Sequence, residues 1–575
     1  MKKGEYMHYL ALACDYDGTL AKDGRVSQHT ITAIERVVAS GRQLLLVTGR
    51  MVQDLQRVFP RLDLFTYVVA ENGAMLYQPA SSAEKSLGEA PPESFIQALH
   101  DRGVPMTTGR VIVATWHPHE TTVLEVIREL GLEYQVIFNK GSVMVLPTGV
   151  NKGTGLATAL SELHWSPHNV VGIGDAENDH SFLSMCECSV AVANALPSVK
   201  EQVDYTTNAD HGDGVIELIE QLMSDDLQEI EQRTSRHSLL LGTKERGEPV
   251  LLKVRRTHAL IAGPSGSGKS TLTTSLLEQL AAQAYQFCLI DPEGDYETME
   301  GAITLGDPQK ELSVLEMIQV LEQPEQSAIV NLLGSPLEDR PAVFRNLFPP
   351  LQDLHTRFGH PHWLIVDEAH HMFPPQWDIS ALIRVQELFS LLFITANPEH
   401  MSRQILSLVD TVIAVGADAL SVLRAFSEAI GQQPPEMASS ALESGEIVVW
   451  FRHAEQPPVR IRPASSRQEH RRHQRKYAEG NLGEDTSFYF RGPEGKLKLR
   501  AQNLNTFSQL AQGVDDATWL YHLRRGEYSR WFRETIKDED LAKEAESIER
   551  DERLSAQESR ARIKSAIEQH YTLSI

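Results

Sequence analysis

Asp15 and Asp17 lie two positions apart in the loop Asp15-Tyr16-Asp17-Gly18-Thr19, directly after the apolar run Tyr9 to Cys14. Three further segments carry related chemistry: Thr48-Gly49-Arg50, Asn151-Lys152-Gly153 and Gly174-Asp175-Ala176-Glu177-Asn178-Asp179. Carboxylates gathered from two loops make an oxygen-rich cage suited to Mg²⁺. Such a cation lets a carboxylate approach a phosphate dianion that would otherwise repel it. A hydroxyl and a lysine at neighbouring strand ends can neutralise and orient the phosphoryl group. One Asp-x-Asp loop alone is most often a solvated turn, but four such segments in this order predict a phosphoryl-transfer site.

A second constellation begins at Gly263-Pro264-Ser265-Gly266-Ser267-Gly268-Lys269-Ser270-Thr271, which follows the apolar run His258 to Ala262 and opens a helical pattern. That context makes it a P-loop: backbone N–H groups cradle phosphates, Lys269 reaches the β and γ positions, and the Ser270 hydroxyl ligates Mg²⁺. The apolar run Trp363 to Val366 ends in Asp367-Glu368, giving a carboxylate for the Mg²⁺ shell and a candidate base for an attacking water. Asn397, after the next strand, is placed to sense a γ-phosphate.

The elements needed to hold these residues are legible. Strands at 9–14, 43–47, 67–70, 170–173 and 190–193 alternate with helical patterns, which predicts a parallel, doubly wound sheet. Residues 79–149 interrupt it with two amphipathic helical patterns (92–101, 120–130) and short β-like runs, an inserted α+β cap; the core is therefore 1–78 and 150–222. Residues 223–236 are almost wholly polar and predict an exposed linker. Strands at 258–262, 287–290, 328–331, 363–366 and 391–395 predict a second parallel α/β sheet over 237–465. From 466 the chain turns basic and then helical, with Trp519, Leu523, Tyr528, Trp531 and Phe532 at the spacing of a small core. The fold class is thus α/β with a C-terminal helical module.

Composition sets outer limits. The length of 575 residues predicts three to five folding units. The charge balance of 54 Lys+Arg against 78 Asp+Glu, net −24, argues against general coating of nucleic acid. Arg467, Arg471, Arg472, Arg475 and Lys476 make one local basic patch, read as a solvated linker. The four cysteines, Cys14, Cys186, Cys188 and Cys288, lack a zinc-ligand pattern and suggest packing in a reducing cytosol. Lys2-Lys3 and the apolar stretch after them run into Asp15-Tyr16-Asp17, which argues against a cleaved leader. No window predicts a membrane span.

The four N-terminal segments together resemble the haloacid dehalogenase superfamily of phosphatases over residues 1–222. Glu71-Asn72-Gly73, the insertion before Lys152 and Val192-Ala193-Asn194-Ala195 resemble its Cof-type branch, which includes sugar and phosphoglycolate phosphatases. That resemblance implies a Rossmann-like core, with Asp15 as the nucleophile that forms an aspartyl-phosphate and Asp17 as the acid and base. It implies phosphate binding by Thr48 and Lys152, and a Mg²⁺ held by Asp15, the Asp17 backbone carbonyl, Asp175 and Asp179, with Asn178 orienting them. The cap would select a small phosphorylated metabolite.

The P-loop, Asp291-Pro292-Glu293-Gly294-Asp295-Tyr296 and Asp367-Glu368 resemble HerA/FtsK-type ATPases over 237–465. That implies ATP as substrate and a homo-oligomer, a ring in which a neighbour supplies an arginine; Arg403, Arg424 and Arg452 are the candidates. Asp367-Glu368-Ala369-His370 also spells a DEAH helicase box, but no arginine-rich later helicase motif follows. Two other readings stay open. In one the protein heals nucleic-acid ends, with Asp291 activating an acceptor hydroxyl for a kinase; in the other ATP is a slow switch that gates the phosphatase.

Overall fold

The computed structural model describes residues 7–571 apart from 140, 235, 298, 308–311, 377–388, 438–441, 444, 455, 465–486, 494, 496, 537 and 552. The basic patch at 467–476 lies outside the described residues. Residues 1–464 form one compact unit and 465–575 a second.

Strands β1 (Ala11–Asp15), β2 (Gln43–Val47) and β3 (Tyr67–Ala70) run parallel, and β4 (Met75–Gln78) and β5 (Ala83–Ser86) add an antiparallel edge. The cap follows, built from helix α1 (Glu93–Asp101), β6 (Thr107–Thr108), β7 (Val113–Trp116), helix α2 (Glu120–Leu130), β8 (Tyr134–Asn139) and β9 (Ser142–Pro147). Its antiparallel sheet has the order β6-β7-β9-β8, and Phe95, Leu99, Val123 and Val126 from the two helices are buried against it. The chain then returns through helix α3 (Lys152–Leu163) to β10 (Val170–Gly174), β11 (Cys188–Ala191) and β12 (Tyr205–Thr206). The sheet order β12-β11-β10-β1-β2-β3-β4-β5 puts β1 at the centre, between β10 and β2. Residues 83–86, assigned from the sequence to the cap, are an edge strand of the core sheet. Their composition, Ala-Glu-Lys-Ser, lacks the apolar alternation that reveals a half-buried strand.

Helices α4 (His211–Asp225) and α5 (Gln228–Arg233) occupy the stretch that reads as an exposed linker. Leu227 and Ile230 are buried in the first core, and Asp226 and Glu231 take ion pairs from Arg42 and Arg255. Asp226 and Glu231 are polar because their partners are charges, while Ser224, Gln228, Glu229 and Arg233 face solvent.

Among the described residues the second sheet has eleven strands. It comprises β13 (Ser238–Thr243), β14 (Pro249–Lys253), β15 (His258–Ala262), β16 (Phe287–Asp291), β17 (Ala302–Leu305), β18 (Ser327–Asn331), β19 (Trp363–Val366), β20 (Ser390–Thr395), β21 (Thr411–Val415), β22 (Ile447–Phe451) and β23 (Val459–Pro463). The order is β14-β13-β23-β22-β21-β15-β20-β19-β16-β18-β17, parallel from β21 onward and antiparallel on the other side. Nearly continuous apolar strands such as Leu260–Ala262 and Trp363–Val366 are buried on both faces, as a covered parallel sheet requires. Helix α6 (Lys269–Ala282) starts at the P-loop behind β15.

The second unit, taken by itself, has a two-stranded ribbon (Phe488–Phe490 with Leu499–Ala501) and helices at 504–513, 516–524, 527–531, 539–550 and 556–571. Trp519, Leu523, Tyr528, Trp531 and Phe532 are buried together there, joined by Phe488, Phe490 and Phe507.

Two candidate active sites

The carboxyl ends of β1, β2 and β10 converge on one point, as open α/β sheets arrange their ligand sites. Asp15 ends β1, Thr48 follows β2, and Asp175 and Asp179 follow β10; all four side chains are buried. Lys152 enters from the first turn of α3 and is 1% exposed. Its Nζ donates to Asp15 Oδ1 and to Asp179 Oδ1, each at 2.5 Å. Asp179 Oδ2 accepts from the backbone N–H groups of Asp175 and Ala176 (2.8 and 2.9 Å), and Thr19 Oγ1 donates to Asp175 Oδ1 (3.2 Å). Oxygen atoms of Asp15, Asp175 and Asp179 lie within 4.8 Å of one another.

Three buried carboxylates face one lysine, so the pocket carries an excess of negative charge. Burial, together with the charge of Asp179, holds the Asp15 carboxyl well above its ordinary range despite Lys152. Burial alone would lower Lys152, but the Asp15 and Asp179 carboxylates overcome it and keep the ammonium charged. Surplus charge on an all-oxygen donor set is the chemistry that a hard divalent cation relieves, so the residues fit Mg²⁺. Ion-pair partners already engaged here would be the groups that such a cation and a phosphate rearrange.

Asp17 points elsewhere. Its carboxylate takes two hydrogen bonds from Arg50, at 2.6 Å from Nε and 2.8 Å from Nη2, and it is nearly half exposed. Arg50 also donates to Asp54 (2.8 Å), so the Thr48-Gly49-Arg50 loop holds the Asp17 side chain out of the carboxylate cluster. Asn178 Nδ2 donates to Asn72 Oδ1 (2.9 Å), while Asn178 Oδ1 and Asn72 Nδ2 are buried with no hydrogen-bond partner. The predicted phosphate-binding Thr48 accepts from Arg50 N (3.1 Å).

Glu71 has a part that its sequence position did not reveal. It is buried, and its backbone adopts φ +50°, followed by Asn72 at φ +55°, a left-handed pair of non-glycine residues at the end of β3. Its carboxylate accepts from the N–H groups of Arg110, Val111 and Ile112 (3.0, 2.9 and 3.1 Å), which belong to the cap. Gly73 follows because a Cβ there would meet Asn151 O at 1.9 Å. Met51 and Ala74 of the core pack with Val111, Ile112, Met144 and Leu146 of the cap, and Met144 Sδ would stand 3.6 Å from a Cβ on Gly49. The cap therefore rests over the carboxylate pocket. A left-handed Glu-Asn pair before Gly is the signal that could have pointed to this anchor.

The second site lies where β15, β20 and β19 end. β20 separates the P-loop strand from the Asp367 strand, so Thr395 and Asn397 stand between Lys269 and Asp367-Glu368. Gly268 turns the loop into α6 at φ +101°, a conformation open to glycine. Lys269 Nζ donates to Pro264 O (3.2 Å), and Ser270 Oγ to Asp295 Oδ2 (3.4 Å). Burial, aided by Glu368, Asp291 and Asp295, pushes the Asp367 carboxyl up to about 7. Glu368, at φ +42°, is also raised by burial, against the pull of Lys269. His370 Nδ1 lies 3.3 Å from Glu368 Oε2 and 3.0 Å from Thr395 Oγ1; burial holds this imidazole down at about 4. A neutral His370 thus hydrogen-bonds Thr395 with the same Nδ1 that faces Glu368, and Thr395 Oγ1 accepts from Asn397 N (3.0 Å).

Asp291 is spent on its own loop. Its carboxylate accepts from the backbone N–H groups of Glu293, Gly294, Asp295 and Tyr296, at 2.8 to 3.2 Å. It shapes the turn that carries Asp295 and is not disposed to activate an acceptor hydroxyl. Among the candidate arginines, Arg403 and Arg424 are both exposed and Arg452 is half-buried; Arg403 donates to Ile430 O (2.8 Å) and Arg452 to Val409 O and Gln432 Oε1.

The family model described as a haloacid dehalogenase-like hydrolase matches residues 12–111 and 134–219. The one described as the central domain of helicase HerA matches residues 240–492. The phosphoglycolate phosphatase of Methanothermobacter thermautotrophicus is 31% identical over 222 residues, which cover 37% of this chain and 98% of that enzyme. The phosphoglycolate phosphatase of Haloarcula marismortui is 31% identical over 222 residues, covering 36% and 95%. A solved haloacid dehalogenase-like hydrolase from Bacteroides thetaiotaomicron aligns at 20% identity and TM-score 0.33, covering 37% of this chain and 99% of that one.

Proposed function

We propose that this chain, which belongs to the haloacid dehalogenase-like hydrolases and carries a HerA central domain after that module, is a Mg²⁺-dependent phosphatase joined to an ATP-hydrolysing engine. The phosphatase substrate is a small phosphorylated metabolite of the phosphoglycolate or phosphosugar kind. The observation that carries the reading is the buried Asp15–Lys152–Asp179 cluster with Asp175 beside it.

Asp15 attacks phosphorus to give an aspartyl-phosphate, and water then hydrolyses it. Asp17 leaves Arg50, takes up a proton from solvent and turns inward; it then gives that proton to the departing oxygen and, as the resulting carboxylate, takes one from the attacking water. Lys152 and Thr48 hold the phosphoryl oxygens, and Asn178, tied to Asn72, keeps the Asp175–Asp179 loop in place. Mg²⁺, held by Asp15, the Asp17 carbonyl, Asp175 and Asp179, would neutralise charge between nucleophile and phosphate. The cap, anchored through Glu71, excludes water and leaves room for a small substrate. Phosphate release from phosphoglycolate and a panel of phosphosugars tests this; failure of Mg²⁺ to support turnover on every member would refute it.

In the second domain the P-loop residues 263–271 would hold ATP, Ser270 and Asp367 would hold its Mg²⁺, and Glu368 would position the attacking water with His370 behind it. Arg403 and Arg424 are the exposed candidates to serve a neighbouring subunit of a homo-oligomeric ring, Arg424 lying on the helix Ala419–Ile430 and Arg403 already donating to Ile430 O. A second reading, in which ATP gates the phosphatase, is favoured by one observation: α6 begins at the P-loop, and the residues just beyond its end touch the phosphatase core. Gln283 O accepts from His168 Nε2 (2.8 Å) and Tyr285 Oη donates to Glu187 Oε2 (2.6 Å). The four cysteines are free and buried, which fits a cytosolic protein, and no described helix is long and apolar enough to cross a membrane.

A further inference from the structure

Away from both sites, the contact between the two α/β domains contains a group of side chains that neither chemistry uses. His168 precedes β10, Glu187 precedes β11, and His237 stands at the entrance to the second domain, just before β13. We propose that His168, Glu187 and His237 form a binding site for a zinc-class divalent metal that fastens the phosphatase core to the P-loop domain.

The donor atoms converge. One from each residue lies within 4.8 Å of the others, with His168 Nδ1 at 2.6 Å and His237 Nε2 at 3.9 Å from Glu187 Oε2. The surroundings resemble those of a metal centre in three respects. His168 donates its other ring N–H to a backbone carbonyl, Gln283 O, at 2.8 Å, which leaves Nδ1 to face Glu187. Metal-bound imidazoles are oriented by such a bond. Glu187 Oε2 also receives the Tyr285 hydroxyl at 2.6 Å, and the Tyr285 ring stacks on His168 at 3.7 Å, so carboxylate and imidazole are both held from the second domain. Third, His237 Nε2 is buried with no hydrogen-bond partner.

A plain ion pair between His168 and Glu187 explains the first two residues and leaves the third unexplained. A buried ring nitrogen without a partner is destabilising, and a metal ion would supply the missing interaction. Two imidazoles and a carboxylate are the donors that zinc takes at about 2.0–2.2 Å, with a water in the fourth position. An entry path exists: Glu187 and His237, though not His168, line a cavity of about 450 Å³, along with Arg255 and Asp204. The donor set also separates this site from the phosphatase pocket, whose ligands are all oxygen and suit Mg²⁺.

The full-length protein, loaded with Zn²⁺ and dialysed against buffer containing Mg²⁺, is expected to retain about one zinc per chain by elemental analysis. Asp179→Asn should retain it, because it alters only the oxygen site. His237→Gln should lose it, and Zn²⁺ should raise the unfolding temperature of the wild type but not of that variant. Co²⁺ added to the wild type should give the visible absorption of a four-coordinate nitrogen–oxygen site, a readout that needs no variant. Absence of that absorption, or equal zinc in the wild type and His237→Gln, would overturn the site and leave a His168–Glu187 ion pair.

Discussion

The two candidate sites differ in how far the chain completes them by itself. In the phosphatase pocket every charged group has found a partner: Lys152 bridges Asp15 and Asp179, Asp179 is bonded to its own loop, and Arg50 grips Asp17. In the P-loop site Lys269 reaches only a backbone carbonyl, and Asp367 and Glu368 both have raised pKa values. A site whose lysine already bridges its carboxylates holds its side chains preorganised within one chain, and Mg²⁺ would relieve the negative charge that remains. A site whose lysine reaches only a backbone carbonyl waits for the nucleotide and its Mg²⁺ to organise it. The contrast predicts that the two activities can be removed separately.

The largest effect is expected from Asp15→Asn, which keeps the shape and removes the nucleophile. Phosphatase turnover should fall by ~10³-fold or more, while ATP hydrolysis stays at the wild-type rate. Equal loss of both activities would erase the contrast. Next in size, Glu368→Gln should slow ATP hydrolysis by ~10²-fold, the usual share of a general base, with nucleotide affinity close to the wild type. Lys269→Ala should lose binding and hydrolysis together, which fluorescent-nucleotide titration distinguishes from the Glu368 case.

Smaller effects sharpen the account of the cap. Glu71→Ala leaves three cap N–H groups without their shared acceptor, so KM for a phosphorylated metabolite should rise ~10-fold, the equivalent of about 1.4 kcal/mol of closure. Turnover of a generic aryl phosphate should change less; an equal fall on both substrates would move Glu71 from cap anchoring to core folding. The smallest effect is expected at Arg50→Ala. Its pair with Asp17 is partly exposed and worth ~0–1 kcal/mol, so steady-state rates should shift only a few-fold, in the direction set by whether release of Asp17 or its later positioning limits turnover.

Much of this was legible in the sequence because each chemical group follows an apolar strand. β1, β2, β10, β15 and β19 are runs of four or five apolar residues, and the residues that end them are the ones that do chemistry. What escaped was decided by pairings between distant positions. The polar stretch 223–236 looks like a solvated linker until Arg255 and Arg42 are seen to meet Glu231 and Asp226. Residues 83–86 become a strand only because β4 offers them an edge. Arg50 was visible as part of a motif, but its grip on Asp17 depends on the turn of a loop, and the anchoring of the cap by Glu71 depends on the approach of residues 110–112. His168, Glu187, His237 and Tyr285 are brought together by two domains, and no spacing in the chain announces them.

The central claim is that Asp15 carries the phosphoryl group and does so without help from the ATPase. It is tested most directly by quenching the enzyme in acid during turnover of labelled phosphoglycolate, or of the best phosphosugar if that is preferred, and mapping the labelled peptide. The account predicts an acid-stable acyl-phosphate on Asp15 alone, formed equally in the wild type and in Lys269→Ala and with no ATP present. Turnover with no label on Asp15, or label that appears only when ATP is hydrolysed, would contradict it.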